Sequence, residues 1–217
     1  MLVLPGGPGL SSRSVAPVSE LLRNRFRVAR IENTCNSIHA LLDEIEAARK
    51  QLSEGRWFVI GHGWGAAMAA LYSAAHPQRV RGVVLAHPIE ISSDYYDVAA
   101  EPVEKPQLEH GYGYECQPDL AEALWEDLQA KWPDSTGEGY DLSAAARRIT
   151  APAMVLLGDR DPMDRRSGMR WAELSKARAA LLRDCGRESF VEQPRRFQQA
   201  VTEFLQARIS PKTVAAA

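Results

Sequence analysis

The sequence predicts an α/β fold: a mostly parallel sheet flanked by helices, with one small aromatic-rich insertion. Short apolar runs bounded by glycine or proline alternate with longer segments of helical period, the pattern of βα units. That rhythm stops once, between residues 89 and 150, and then resumes. With 217 residues, 45% of them hydrophobic, the chain can bury one sizeable core without metals or disulfides.

Taken in order, the strands fall at residues 1–4, 26–31, 57–60, 80–86, 153–157 and 179–183. Between the second and third, Ile38, Leu41, Leu42, Ile45 and Leu52 form a stripe at helical spacing, and the opposite face, with Asp43, Glu46 and Lys50, is expected to be wet. Residues 66–75 form a helix whose alanines allow close packing on a sheet. The last helix opens at Pro194, a favoured first-turn position, and carries Phe197, Val201 and Phe204 on one side. The tail beyond Ser210 is expected to fray.

The insertion holds Tyr95, Tyr96, Tyr112, Tyr114, Trp125, Trp132 and Tyr140, with one helix over 118–131 carrying Leu120, Leu124 and Leu128. The expected organisation is a core of residues 1–88 and 151–217 with a cap of residues 89–150. The alternative is a long surface excursion that packs its own aromatics.

A formal charge of −2 gives no basic excess for phosphates, which argues against nucleic acid as a partner. No apolar run approaches the roughly 20 residues that span a bilayer, and the start is too short in apolar residues for a signal peptide. Cys35, Cys116 and Cys185 are odd in number and lack a C-x-x-C pair, against both a disulfide framework and a zinc site. The expectation is a cytoplasmic protein with no metal and no cofactor.

Three motifs carry the chemistry. Leu4-Pro5-Gly6-Gly7-Pro8-Gly9 follows the first strand, Val59-Ile60-Gly61-His62-Gly63-Trp64-Gly65-Ala66 runs from a strand into a helix, and Leu157-Gly158-Asp159-Arg160-Asp161-Pro162 closes the fifth strand. In this order they resemble the α/β-hydrolase fold family, most closely its proline iminopeptidase-like branch. The resemblance implies that Gly6 and Gly7 form half of an oxyanion hole, that the N–H of Trp64 completes it, and that Gly63 stands at the nucleophile position. It implies that Asp161 is the acid, and that Arg187, in Asp184-Cys185-Gly186-Arg187, stands where the family has its histidine. Two departures accompany it: Pro5 replaces the loop histidine, and the chain opens at what would be the family's third strand.

Glycine cannot attack a carbonyl and a guanidinium cannot take up a proton, so acyl transfer is not expected. The surviving donors at Gly6, Gly7, Gly63 and Trp64 are expected to converge on an anion site. Arg187 either pairs with Asp161 or faces the pocket and binds a substrate carboxylate. His87, ending the fourth strand at the carboxyl edge of the sheet, is the candidate pocket acid or base, against an ordinary packed histidine. Glu90 is a lesser candidate, and His62 is read as supporting the elbow.

Two functions follow as expectations. The first is a cofactor-independent isomerase, epimerase or cyclase acting on a peptide or natural-product intermediate through a stabilised enolate, with His87 and Asp161 as its catalytic groups. In lacking serine and histidine the chain is similar to the atypical hydrolase-fold peptide epimerases of bottromycin-type biosynthesis. The second is a pseudo-hydrolase that binds a small ligand or protein partner without turnover.

Overall fold

The structure is a computed structural model describing residues 1–32, 34–95 and 116–209. Six strands form one sheet: β1 (Leu2–Leu4), β2 (Ala29–Arg30), β3 (Trp57–His62), β4 (Val80–Ala86), β5 (Ala153–Gly158) and β6 (Arg178–Leu182). Their order is β2-β1-β3-β4-β5-β6 and every pairing is parallel. The expected strand over 26–31 is reduced to two residues, paired to β1 alone. At that edge little cross-strand pairing is available to extend it.

The period-two alternation of the strands divides the core. Val59, Val83, Leu85 and Val155 point to the side of α2 (Ile38–Gln51) and α3 (Trp64–Ala75). Phe58, Ile60, Val84, Met154 and Leu156 point to the side of α1 (Ala16–Leu22) and α8 (Pro194–Gln206). On α8, Phe197, Val201 and Phe204 are all buried, as their spacing predicts. Its partner α1 begins with Ala16-Pro17 and carries only Val18 and Leu22 inward, too short a stripe to read from sequence.

One face of α2 departs from expectation. Asp43 and Lys50 are exposed, but Glu46 is partly covered and bound by Arg49, itself buried. Arg49 donates to both carboxylate oxygens, at 2.8 and 2.7 Å, and the Tyr72 hydroxyl of α3 donates to the same group at 2.9 Å. A polar i,i+3 pair looks like a wet face in sequence, but here it forms the contact between two helices.

Of the segment between β4 and β5, the described part contains α4 (Pro118–Lys131) and α5 (Ser143–Arg147); Tyr96, His110, Tyr112 and Tyr114 lie outside the described residues. Leu124 and Leu128 of α4 and Tyr140 are buried in the same cluster as α3. Asp127 of α4 accepts the Ile38 N–H at 2.8 Å, capping the start of α2. Trp125 meets Trp64 edge to face at 4.8 Å. The segment is thus tied to the core at both α2 and α3. From β5 the chain continues through α6 (Arg165–Leu174) to β6, and the short α7 (Ser189–Glu192) precedes α8.

Candidate functional site

All the singled-out side chains gather at the carboxyl edge of the sheet, where parallel strands release their loops. β3 ends at His62, and Gly63 turns the chain into α3 with φ 54° and ψ −117°. A non-glycine residue is strained there. The Gly63 N–H donates to Ala86 O at 3.0 Å, and its carbonyl accepts from Ala66 and Ile89, so the elbow is fixed from both sides.

The expected anion site is filled by the protein itself. The Trp64 N–H donates to Gly6 O at 2.8 Å, and the Gly65 N–H to Pro5 O at 3.0 Å. The Trp64 N–H, expected to face a ligand, instead holds the Pro5–Gly6 loop against the start of α3, together with the neighbouring Gly65 N–H. A Cβ at Gly63 would overlap the Gly6 carbonyl oxygen and lie 3.1 Å from Arg187 Nη2. The absence of a side chain at Gly63 therefore opens no space, because a carbonyl and a guanidinium occupy it. Gly6 is glycine for a local reason: a Cβ there would overlap His62 Nδ1.

Both readings of Arg187 find support. Its Nη1 lies 3.5 Å from Asp161 Oδ1, and its side chain, 24% exposed, also reaches over Gly63. Nη1 is buried without a hydrogen-bond partner, a donor left over. The loop carrying Arg187 is stiffened by Glu192, whose carboxylate accepts the N–H groups of Gly186 at 2.8 Å and Glu188 at 3.1 Å.

His87 and Asp161 are brought together. His87 Nδ1 and Asp161 Oδ2 are 2.9 Å apart, and His87 Nε2 is 2.6 Å from Ser189 Oγ, a residue that sequence gave no reason to single out. Burial opposes ionisation of Asp161, but the hydrogen bond from His87 and the charge of Arg187 outweigh it and hold the carboxyl below its usual range. Burial pushes His87 down despite Asp161. The consistent assignment is a neutral imidazole donating from Nδ1 to Asp161 and accepting the Ser189 hydroxyl at Nε2. His87 adopts φ 48°, a strained backbone for histidine that these two bonds hold in place.

The polarity is that of a serine, histidine and aspartate relay, yet His87 and Ser189 are both fully buried. The nearby loop N–H groups of Gly186 and Glu188 are already taken by Glu192. The arrangement works as an interlock between β4, the β5 loop and α7. Ser189→Ala is expected to cost about 1 kcal/mol in urea unfolding. A fluorophosphonate probe should leave Ser189 unlabelled, and a covalent adduct there would instead make it a nucleophile.

His62 supports the elbow, donating from Nε2 to Arg187 O at 3.1 Å, and burial pushes its pKa well down. Two carboxyls complete the surroundings. Glu90 is buried; one oxygen accepts the Asp164 N–H and the other has no partner, and burial raises its pKa. Glu188, 31% exposed, is pushed by burial to about 7. Glu188 carried no sequence signal because its environment comes from three separate loops. Among the described residues no group of three or more histidine, cysteine or acidic side chains could hold a metal, and no helix is long and apolar enough to cross a membrane.

With the geometry described, comparison with known proteins identifies the fold. The protein has the α/β-hydrolase fold, a six-stranded parallel sheet flanked by helices; the family model described as alpha/beta hydrolase fold matches residues 1–104. Proline iminopeptidase of Neisseria gonorrhoeae is 40% identical over 50 residues, 23% of this chain and only 16% of that protein's length. The proline iminopeptidase of Arabidopsis thaliana matches 50 residues at the same identity, 13% of its length. Among solved structures, the enol-lactonase from Burkholderia xenovorans LB400 superposes with a TM-score of 0.72 at 19% identity, over 94% of this chain and 90% of that one. A meta-cleavage product hydrolase from Pseudomonas fluorescens IP01 gives 0.66 at 20% identity, over 95% and 89%. The structural neighbours are hydrolases, and at these identities the likeness is one of fold.

Proposed function

We propose that this protein binds a small carboxylate-bearing molecule at Arg187 and does not transfer acyl groups. The observation that carries the reading is the guanidinium, whose Nη2 lies 3.1 Å from where a nucleophile's Cβ would stand and whose buried Nη1 makes no hydrogen bond beside its 3.5 Å ion pair with Asp161. A cation in the place of the serine and histidine favours an anion, and a planar fork suits a carboxylate. Asp161 keeps the cation oriented without consuming it, since their contact is 3.5 Å and not a close bidentate pair. The hydrolase fold would then serve as a binding scaffold.

The test is calorimetric titration with acetate, succinate and phenylacetate. Arg187→Gln should weaken binding at least tenfold, about 1.4 kcal/mol, and Arg187→Lys should do so partially. Binding should also tighten as the pH falls through about 7, because Glu188 then loses the negative charge that competes beside Arg187. Equal affinity in wild type and Arg187→Gln would overturn the reading.

The position of Glu188 favours a second reading, the isomerase or epimerase. A carboxyl titrating near 7 is matched to moving a proton at neutral pH. Glu188 would take the proton from the carbon next to a carboxyl or amide and return it to either face. Arg187 would hold the enolate, a role the filled hole cannot serve. Deuterium uptake from D₂O by a carboxyl-containing peptide, lost in Glu188→Gln, would establish this; uptake unchanged in that variant would remove Glu188 from the chemistry.

A further inference from the structure

A concavity lies on the segment between β4 and β5 and shares no residue with the Arg187 site. It is a groove of about 370 Å³ lined by Ser93, Trp125, Gln129, Asp134, Glu138 and Tyr140 among others. Among the described residues, two carboxylates line it and no lysine, arginine or histidine does. Two of its walls are aromatic: Trp125 and Tyr140 are 5.9 Å apart at 42°, and Trp125 is backed by Trp64.

The acidic side is built into the fold. Asp134 Oδ1 accepts three hydrogen bonds from its own loop, from the Thr136 N–H and hydroxyl and the Gly137 N–H, at 2.9, 2.7 and 3.0 Å. These bonds, led by that from the Thr136 hydroxyl, hold the carboxyl below its usual range. Oδ2 lies against Gly139, which also lines the groove. The loop is closed at its base by the Pro133 to Tyr140 bridge and by the Tyr140 N–H donating to Ser93 Oγ at 2.7 Å. The Tyr140 hydroxyl donates inward to Glu90 O at 3.0 Å, which turns the ring's polar end away from the groove.

We propose that this groove binds a small primary amine, with its ammonium between Asp134 and Glu138 and an apolar or aromatic stem against Trp125. Carboxylates accept the N–H donors of an ammonium, and aromatic faces attract both the cation and its stem. An anion would be repelled by both carboxylates, with no cation among the described lining residues to compensate. A groove of this volume suits a molecule of amino-acid size.

The experiment is titration of the whole chain with 2-phenylethylamine, followed by calorimetry, beside 2-phenylethanol and 3-phenylpropionate. The amine should bind at least tenfold more tightly than the alcohol, and the carboxylate should not bind at this groove. Glu138→Gln, at an exposed position, should weaken the amine severalfold without touching the fold, and Asp134→Asn should weaken it further. Arg187→Gln should leave it unchanged, which separates this site from the first. Equal binding of amine and alcohol, or an amine affinity indifferent to both carboxylate variants, would overturn the proposal.

Discussion

Replacing Gly63 with serine is expected to leave the protein without esterase activity, even with Arg187→His beside it, and to make it less stable. The serine Cβ would overlap the Gly6 carbonyl oxygen, a backbone atom pinned by its bond from the Trp64 N–H. Strain at φ 54° adds to this, and strain with overpacking together should cost roughly 2–4 kcal/mol. Changing Arg187 to histidine removes one neighbour but not the carbonyl, so the oxyanion donor stays occupied. Hydrolysis of p-nitrophenyl acetate should equal the buffer rate in the double variant, and chemical denaturation should show the loss of stability. A burst of p-nitrophenol would mean that the Gly6 loop moves aside easily, and this account of the elbow would fail.

The second large effect lies far from the site, where α2 meets α3. Glu46→Ala is expected to destabilise the protein by about 3–5 kcal/mol, because Arg49 would be left as a buried unpaired charge. Its two side chains are 7% and 13% exposed, so solvent does little to screen the pair. Hydrogen bonding from Arg49, with that from Tyr72 and against burial, holds Glu46 at about 2, where an ordinary glutamate titrates at 4.5. A depressed carboxyl stabilises above its unfolded value, so this contribution is complete above about 4.5 and is lost as the pH falls toward 2. It amounts to about 3 kcal/mol. Urea unfolding of wild type and Glu46→Gln should therefore differ at pH 7 and converge in acid. A gap that persists at low pH would place the effect in packing and not in charge.

The same pair illustrates what sequence could convey. Glu46 and Arg49 carry the spacing of a solvated face, and only the approach of Tyr72 from another helix makes them interior. Core positions were legible wherever periodicity reported them: the six strands, α2, α3, α4 and α8 all lie close to where spacing puts them. The tight turn at Gly63 and the turn that carries Asp161 were legible because local glycine and proline patterns encode them. The filling of the hole was not, since it depends on which way one Gly6 carbonyl turns, and either direction suits a glycine. Ser189 and Glu188 escaped for a related reason. Ser189 meets His87 across 102 residues of chain, and Glu188 comes near His62 and Asp161 from loops remote in sequence; no local pattern links such positions.

The placement of Arg187 bears on how such a site changes over generations. One long side chain sits where two catalytic groups would work, so vacating it alone leaves Asp161 buried beside an empty volume, and adding a serine alone meets the carbonyl of the opposing loop. Each step back toward hydrolysis is disfavoured until the others have been taken, and they must be taken in three separate loops. A chain packed in this way is held away from acyl transfer, and variants drifting from it are expected to explore new ligands more readily than that reaction.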